Sequence, residues 1–262
     1  MDTIAQSTRD AKEVFTLFEN GAKEVGLEVN EDKTKYMVAT KNPRPRVRQN
    51  VTINEYNFEV VKEFKYLRTI ITSENKYEKD VAARIIAGNR AYYSLRTLLK
   101  SKILSRPAKI RVYKTIIRPT ITYGSETWTL NQRETTKLLV LERKILRTIY
   151  GPCREETTGE WRRRHNDELQ TIYGDENIVR YIKANRIRWA GHVLRSSDER
   201  LLNATFWERP DGKRSVGRPR NRWKDAVASD LRKMGVQQWE IAAQDRQQWR
   251  EIVNAAKTHI EL

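Results

Sequence analysis

The sequence predicts an α+β chain that is mainly α-helical: a small β-hairpin segment near the start, then helices to the end. Three observations carry this. Apolar residues recur at three- and four-residue steps in residues 8–25 and again over most of the chain beyond Glu74, the spacing of one helix face. Short β-rich runs are confined to residues 34–72 and are split by turn-forming residues. All seven tryptophans lie at or beyond Trp128, six of them beyond residue 160, so composition shifts along the chain.

In order, residues 8–25 read as an amphipathic helix with Val14, Leu17, Phe18, Ala22 and Val25 on its apolar side and Gly26 as its cap. Residues 34–40 and 50–60 read as strands on either side of a basic Pro43/Pro45 loop, with a turn at Asn54-Glu55. Phe64–Thr72 is further β structure. Residues 75–100 read as helix, with Val81, Ile85, Ala91 and Leu95 inward and Arg84, Arg90 and Arg96 elsewhere. Ser105-Arg-Pro107 opens a helix, with serine as cap and proline in the first turn, that should end before Pro119. Asn131-Gln-Arg-Glu134 opens another that buries Leu138, Leu141, Ile145 and Ile149 and stops at Gly151-Pro152. Beyond a boundary near 151–160, Ile178–Arg195, Trp223–Met234 and Trp239–Lys257 read as helices, and 209–222 as a basic loop.

The net charge of +17 and the pI near 10 call for a polyanionic partner. The excess is densest over residues 101–150, with 11 basic and three acidic side chains. One cysteine, Cys153, excludes a disulfide framework and a cysteine-based zinc site; the three histidines have no metal-ligand spacing. There is no 18-residue apolar run and no signal-peptide pattern, so the expected setting is intracellular, nucleus or cytoplasm, with no membrane partner. No Asp-Asp dipeptide, glycine-rich phosphate loop or nucleophile triad stands out. Glu74, Glu78 and Asp80 read as a solvated helix start favoured by the dipole, not a metal cluster, and His165 beside Arg162–Arg164 reads as a surface residue. By residues alone this is a binding unit with no metal site and no small-molecule cofactor.

Gly26-Leu-x-Val-Asn-x-x-Lys-Thr-Lys35 resembles the fourth palm motif of non-LTR (LINE-type) retrotransposon endonuclease–reverse transcriptases, and Phe64-Lys-Tyr-Leu-Arg-Thr-Ile-Ile71 resembles their primer-grip hairpin. Ile117-Arg-Pro119, Tyr123-Gly-Ser-Glu-Thr-Trp128, Glu142-Arg-Lys-Ile-Leu-Arg147 and Tyr150-Gly-Pro152 resemble the thumb of the same elements. Arg186-x-Arg-Trp-Ala-Gly-His-Val-Leu-Arg195, Gly217-Arg-Pro-Arg220 and Trp239…Asp245-Arg246…Trp249-Arg250 resemble their C-terminal tail. Each motif is weak alone; their order and spacing over nearly the whole chain are what match.

The resemblance implies three parts: a palm remnant (1–73), a helical thumb (74–152) and a basic, Trp-rich C-terminal domain (153–262). It implies Lys33 as a general acid near the incoming nucleotide, and Phe64, Tyr66, Leu67 and Arg68 at the primer grip, where the family usually carries glycine in place of Arg68. Aromatics on such a hairpin are equally read as core. RNA, DNA or an RNA–DNA duplex would be held through phosphates by the thumb residues Arg111, Lys114, Arg118, Arg143, Lys144 and Arg147. Arg186, Arg188, Trp189, His192 and Arg195 would add contacts from the tail, with Arg214, Arg218, Arg220 and Arg222 on a basic arm. In the family, an Ala-Asp-Asp motif before the first helix binds the catalytic Mg2+; Asp2 lies just downstream of that place and does not substitute for it. The expectation is a truncated reverse transcriptase that keeps the binding thumb and tail without the chemistry; the alternative is a domesticated, non-catalytic nucleic-acid-binding protein.

Overall fold

The structure, a computed structural model, describes residues 3–5, 7–39, 50–196 and 222–259. It is the mainly helical α+β chain expected, with small sheets of two or three strands. Two compact units divide it, one up to Asp80 and one from Val81. The Pro43/Pro45 loop and almost all of the 209–222 loop, with Arg214, Arg218 and Arg220, lie outside the described residues, as does Asp2.

In the first unit, α1 (Thr8–Glu24) starts at Ser7, whose hydroxyl accepts the Asp10 N–H at 3.1 Å. It ends at Gly26, which takes a φ of 74° while the Leu27 N–H reaches back to the Ala22 carbonyl at 2.9 Å. The packed face differs from the expected one. Phe15, Glu19 and Ala22 face inward, whereas Leu17 and Val25 are 73% and 70% exposed, and Val14 and Phe18 are also at the surface. A polar anchor sets the rotation: the buried Glu19 carboxylate accepts from Asn54 Nδ2 at 2.6 Å and pairs with Lys23.

A three-stranded sheet has the order β1-β3-β2 (Lys35–Tyr36, Tyr56–Val60 and Asn50–Ile53), with β1 parallel and β2 antiparallel to β3. Asn54 takes a positive φ of 52° in the two-residue loop between β2 and β3, where the sequence placed a turn. Tyr56 and Phe58, on one face of β3, meet Phe15 edge-on at 5.8 and 5.2 Å.

Phe64–Thr72 is two strands, β4 (Glu63–Tyr66) and β5 (Thr69–Thr72). The loop between them is Leu67-Arg68, with φ of 44° and 70°. Two positive φ values in a two-residue hairpin loop are the signature of a type I′ turn, which favours Asn-Gly because a Cβ is crowded there. Arg68 therefore strains the turn without breaking the register, which runs intact from Glu63↔Thr72 to Tyr66↔Thr69. The double change Leu67→Asn/Arg68→Gly is expected to raise the stability of this unit by about 1–2 kcal/mol, read from urea unfolding; an unchanged or lower midpoint overturns the strain argument. Asp80, in the first turn of α2 (Glu78–Ser94), corrects the reading of a solvated helix start. It is 1% exposed, and its carboxylate accepts the Ile70 N–H of β5 at 3.0 Å.

In the second unit, α2 buries Val81, Arg84, Gly88 and Tyr92. Arg84, expected on an outer face, lies with its guanidinium 4.7 Å from the centre of the Tyr123 ring. Gly88 admits Ile121, which a Cβ there would meet at 2.3 Å. After α3 (Arg96–Lys100), Ser105 caps α4 (Arg106–Val112) as expected. The helix does not end before Pro119. It widens through a π-helical turn, Tyr113–Ile117, and continues as α5 (Arg118–Thr122). The wider turn takes the carbonyls out of the line of the proline ring and closes on an Arg118 N–H bond to the Tyr113 carbonyl.

Asn131 caps α6 (Gln132–Tyr150) by accepting from the Arg133 and Glu134 N–H groups, and Leu138, Leu141, Ile145 and Ile149 are buried as read. A two-residue ladder, β6 (Cys153–Arg154) with β7 (Trp161–Arg162), leads to α7 (Asn166–Tyr173). Next come α8 (Ile178–Leu194), α9 (Trp223–Lys233), α10 (Trp239–Ala242) and α11 (Arg246–Thr258). The expected single helix over 239–257 is broken because the Asp245 carboxylate takes the Gln247 and Gln248 N–H groups, a cap that starts α11 afresh. Helices α8 to α11 share a core of Ile187, Val227, Leu231, Trp239, Trp249 and Val253. The helices on either side of the 151–160 stretch lie in this one unit, where the buried Glu142 of α6 accepts the Ile178 N–H of α8 at 2.9 Å.

Candidate nucleic-acid interface

A cationic concavity lies between α8 and α11. Arg188 and His192 of α8 and Arg195 at its C-cap follow steps of four and three; in α11, Arg246, Arg250 and Lys257 follow steps of four and seven. Each set is therefore one stripe of its helix. The two helices approach closely because residue 191 is glycine: a Cβ there would sit 2.1 Å from Trp249 Nε1. That indole is buried and donates to the Ile187 carbonyl at 3.1 Å, forming a rigid floor. The stripes line a cleft of about 720 Å³ with no carboxylate on its walls among the described residues. Arg195 donates to the Ala243 carbonyl, a neutral acceptor, and its guanidinium is held below its ordinary pKa by burial and then by Arg246. The cleft's positive charge is thus not compensated from within. Trp189 is half-buried, with its ring 5.0 Å from that of His192.

A second basic cleft, of about 380 Å³, lies where the end of α6 meets β7. Lys144 and Arg147 of α6 line it together with Trp161, Arg162, Arg163 and Arg164. Lys144 donates to Asn89 Oδ1 at 3.1 Å and to the Tyr93 hydroxyl at 2.9 Å, and that bond lowers the tyrosine pKa. Arg143 is half-buried beside this group on α6.

The structure separates the other candidates. Arg111 is exposed. Lys114 pairs with Asp175 at 2.5 Å, and Arg118 with Glu176 at 2.9 Å. Arg118 is 8% exposed and stacks on the Tyr181 ring at 4.1 Å, so it serves the core and not a phosphate surface. Arg186 is likewise withdrawn: 3% exposed, it donates to the Trp128 carbonyl at 2.7 Å and pairs with Asp230. Arg222 is exposed at the start of α9. Lys33 is exposed in the turn after Asn30, whose side chain accepts the Lys33 N–H at 2.9 Å. Phe64 is half-buried on β4, while Tyr66, Leu67 and Arg68 stand at the exposed tip of its hairpin.

Arg246, Arg250, Lys257, Trp161, Arg162, Arg163 and Arg164 line these clefts and are not among the candidate residues named from the sequence. The α11 cations carry a readable signal, a four-residue basic spacing on the same side of the helix as Trp249 and Val253; Trp161 carries none, since its ladder is only two residues long. Among the described residues no three His, Cys, Asp or Glu side chains come together in a way that could hold a metal ion. Glu74 pairs with Lys76, and the Asp80 carboxylate accepts the Ile70 N–H. These residues do not fit a catalytic magnesium. No helix among the described residues is long and apolar enough to cross a membrane.

The chain is 25% identical over 264 residues to a transposon-derived protein of Caenorhabditis elegans, an alignment covering 98% of this chain and 93% of the relative. No protein-family model and no solved structure matches it.

Proposed function

We propose that this chain is transposon-derived and binds nucleic acid through phosphate contacts, as the palm end, thumb and tail of a non-LTR reverse transcriptase would. The observation that carries the reading is the α8–α11 cleft, where four arginines and a lysine face one concavity with His192 and without a carboxylate among the described residues. A polyanion whose charges repeat along a groove is the partner such a site fits. The likeness to the transposon-derived relative along almost its whole length, and the ordered palm, thumb and tail motifs, support the assignment. The reading is of a binding protein for DNA, RNA or their hybrid duplex; it routes no polymerisation through Lys33.

The test is duplex affinity against salt concentration. Each phosphate contact contributes about −0.9 to the slope of log affinity on log salt. The triple variant Arg188→Ala/Arg246→Ala/Arg250→Ala, all at exposed positions, is expected to flatten that slope by about 3. A wild-type affinity indifferent to salt, or a variant with the parent's slope, overturns the proposal.

A further inference from the structure

Resting on that reading, we propose that the smaller cleft is a distinct subsite for single-stranded nucleic acid, with one unpaired base stacked on Trp161 and its phosphate among Lys144, Arg147, Arg163 and Arg164. Trp161 is 71% exposed, whereas Trp128, Trp239 and Trp249 are 6% exposed or less. An indole this open leaves a large apolar face in water, and it stands over a cleft whose other polar walls are cationic. An aromatic platform beside a positive groove is how proteins hold single strands, since every base offers a π-face and every nucleotide a phosphate.

The cations are fixed in place without being neutralised. Arg147 donates to the Arg164 carbonyl at 3.2 Å and to Asn166 Oδ1 at 2.7 Å. Arg164 donates to the Gly151 and Pro152 carbonyls at 3.2 and 3.3 Å, covering the carbonyl end of α6. Lys144 bonds only neutral acceptors, and the Arg163 side chain is exposed. Among the described residues no carboxylate pairs with any of these four, whereas Arg162 is spoken for by Glu168. Burial, and after it the like charges of Arg163 and Arg143, hold Arg147 below its ordinary pKa, so positive charge is crowded at this corner. The cleft's volume of about 380 Å³ is that of a small-ligand site, enough for a nucleotide. A base must leave its partner to lie flat on the indole, which sets the preference for a single strand.

The whole chain is titrated with three probes of equal phosphate number: an oligothymidylate of about 16 nucleotides, its abasic counterpart, and a DNA duplex. Wild type is expected to bind the oligothymidylate about 5- to 100-fold more tightly than the abasic strand. Trp161→Ala should abolish that ratio, Trp161→Phe should keep part of it, and neither should change duplex affinity, because the exposed ring takes no part in the α8–α11 cleft. Equal binding of thymidylate and abasic strands by wild type overturns the subsite, as does a ratio that survives Trp161→Ala or an acidic peptide of equal charge competing as well as the oligothymidylate. In each of those cases duplex binding through α8 and α11 can still stand. Failure to bind any of the three probes overturns both readings.

Discussion

Arg186→Ala is expected to lower the stability of the second unit by about 3–5 kcal/mol, the usual cost of removing one partner of a buried ion pair. Arg186 is 3% exposed, and both ends of its fork are used: Nη2 on Asp230, Nη1 on the Trp128 carbonyl 2.7 Å away. Truncation leaves Asp230, itself 5% exposed, with Lys183 at 3.3 Å as its remaining cation, and removes the Arg186 bond to the Trp128 carbonyl. The measurement is urea unfolding followed by tryptophan fluorescence. Arg188, two residues further along the same helix, is the control. It is exposed on the cleft stripe, so Arg188→Ala should change stability by no more than about 0.5 kcal/mol while weakening duplex binding. Loss of binding in the Arg186 variant with an unchanged unfolding midpoint would sink this assignment and return Arg186 to the interface.

That pair of arginines shows where sequence reading stops. Helix α8 buries residues on most of its circumference, from Ile178 and Val179 round to Ala190, Val193 and Leu194. Periodicity has little contrast there, and two arginines in one motif cannot be told apart by spacing. What decides is Asp230, 44 residues away and one of the few acidic groups of α9. Arg118 repeats the lesson, for its partner Glu176 lies 58 residues downstream. Local chemistry was legible by contrast. The Ser105 and Asn131 caps and the Asn54 turn are settled within three or four residues, and they stand where the sequence placed them. Between these cases lies α1. Its hydrophobic spacing named the helix correctly but not the packed face, because the anchor is a glutamate bound to Asn54. The candidate interface divides in the same way. Arg188, His192 and Arg195 come together as their spacing in one helix requires, while the facing stripe of α11 is brought to them by the Gly191–Trp249 contact, a tertiary fact.

Stability is expected to fall by about 3 kcal/mol as pH rises from about 4.5 to about 7, through one carboxyl group. Glu142 is 2% exposed in the second unit, and burial pushes its pKa up to about 7, against an ordinary value near 4.5. The hydrogen bonds from the Ile178 N–H at 2.9 Å and the Tyr113 hydroxyl at 2.7 Å, with the charges of Arg118 and Arg143, pull the other way and only partly offset desolvation. Tyr113 is pushed well above its usual range by its own burial and by Glu142, so it stays a neutral donor throughout. The folded chain therefore holds the Glu142 proton more tightly than the unfolded chain does. The contribution is complete below about 4.5 and lost as pH passes about 7. Glu168 acts in the opposite sense. Arg162 and the His165 N–H hold it down to about 2, so its contribution is already complete above about 4.5 and does not vary within the window. Glu142→Gln removes the titration and can keep both bonds, its amide oxygen accepting from Ile178 and its amide nitrogen donating to a rotated Tyr113 hydroxyl. Urea unfolding at a series of pH values from about 5 to 7.5 should then show a falling stability for the wild type and a flatter line for the variant. Parallel lines would mean that the proton is held elsewhere. Glu142→Ala distinguishes the bonds from the charge. It leaves the Ile178 N–H and the Tyr113 hydroxyl without their acceptor and should cost about 2–5 kcal/mol at pH 5, where the wild-type carboxyl is protonated and the charge has no part in the loss.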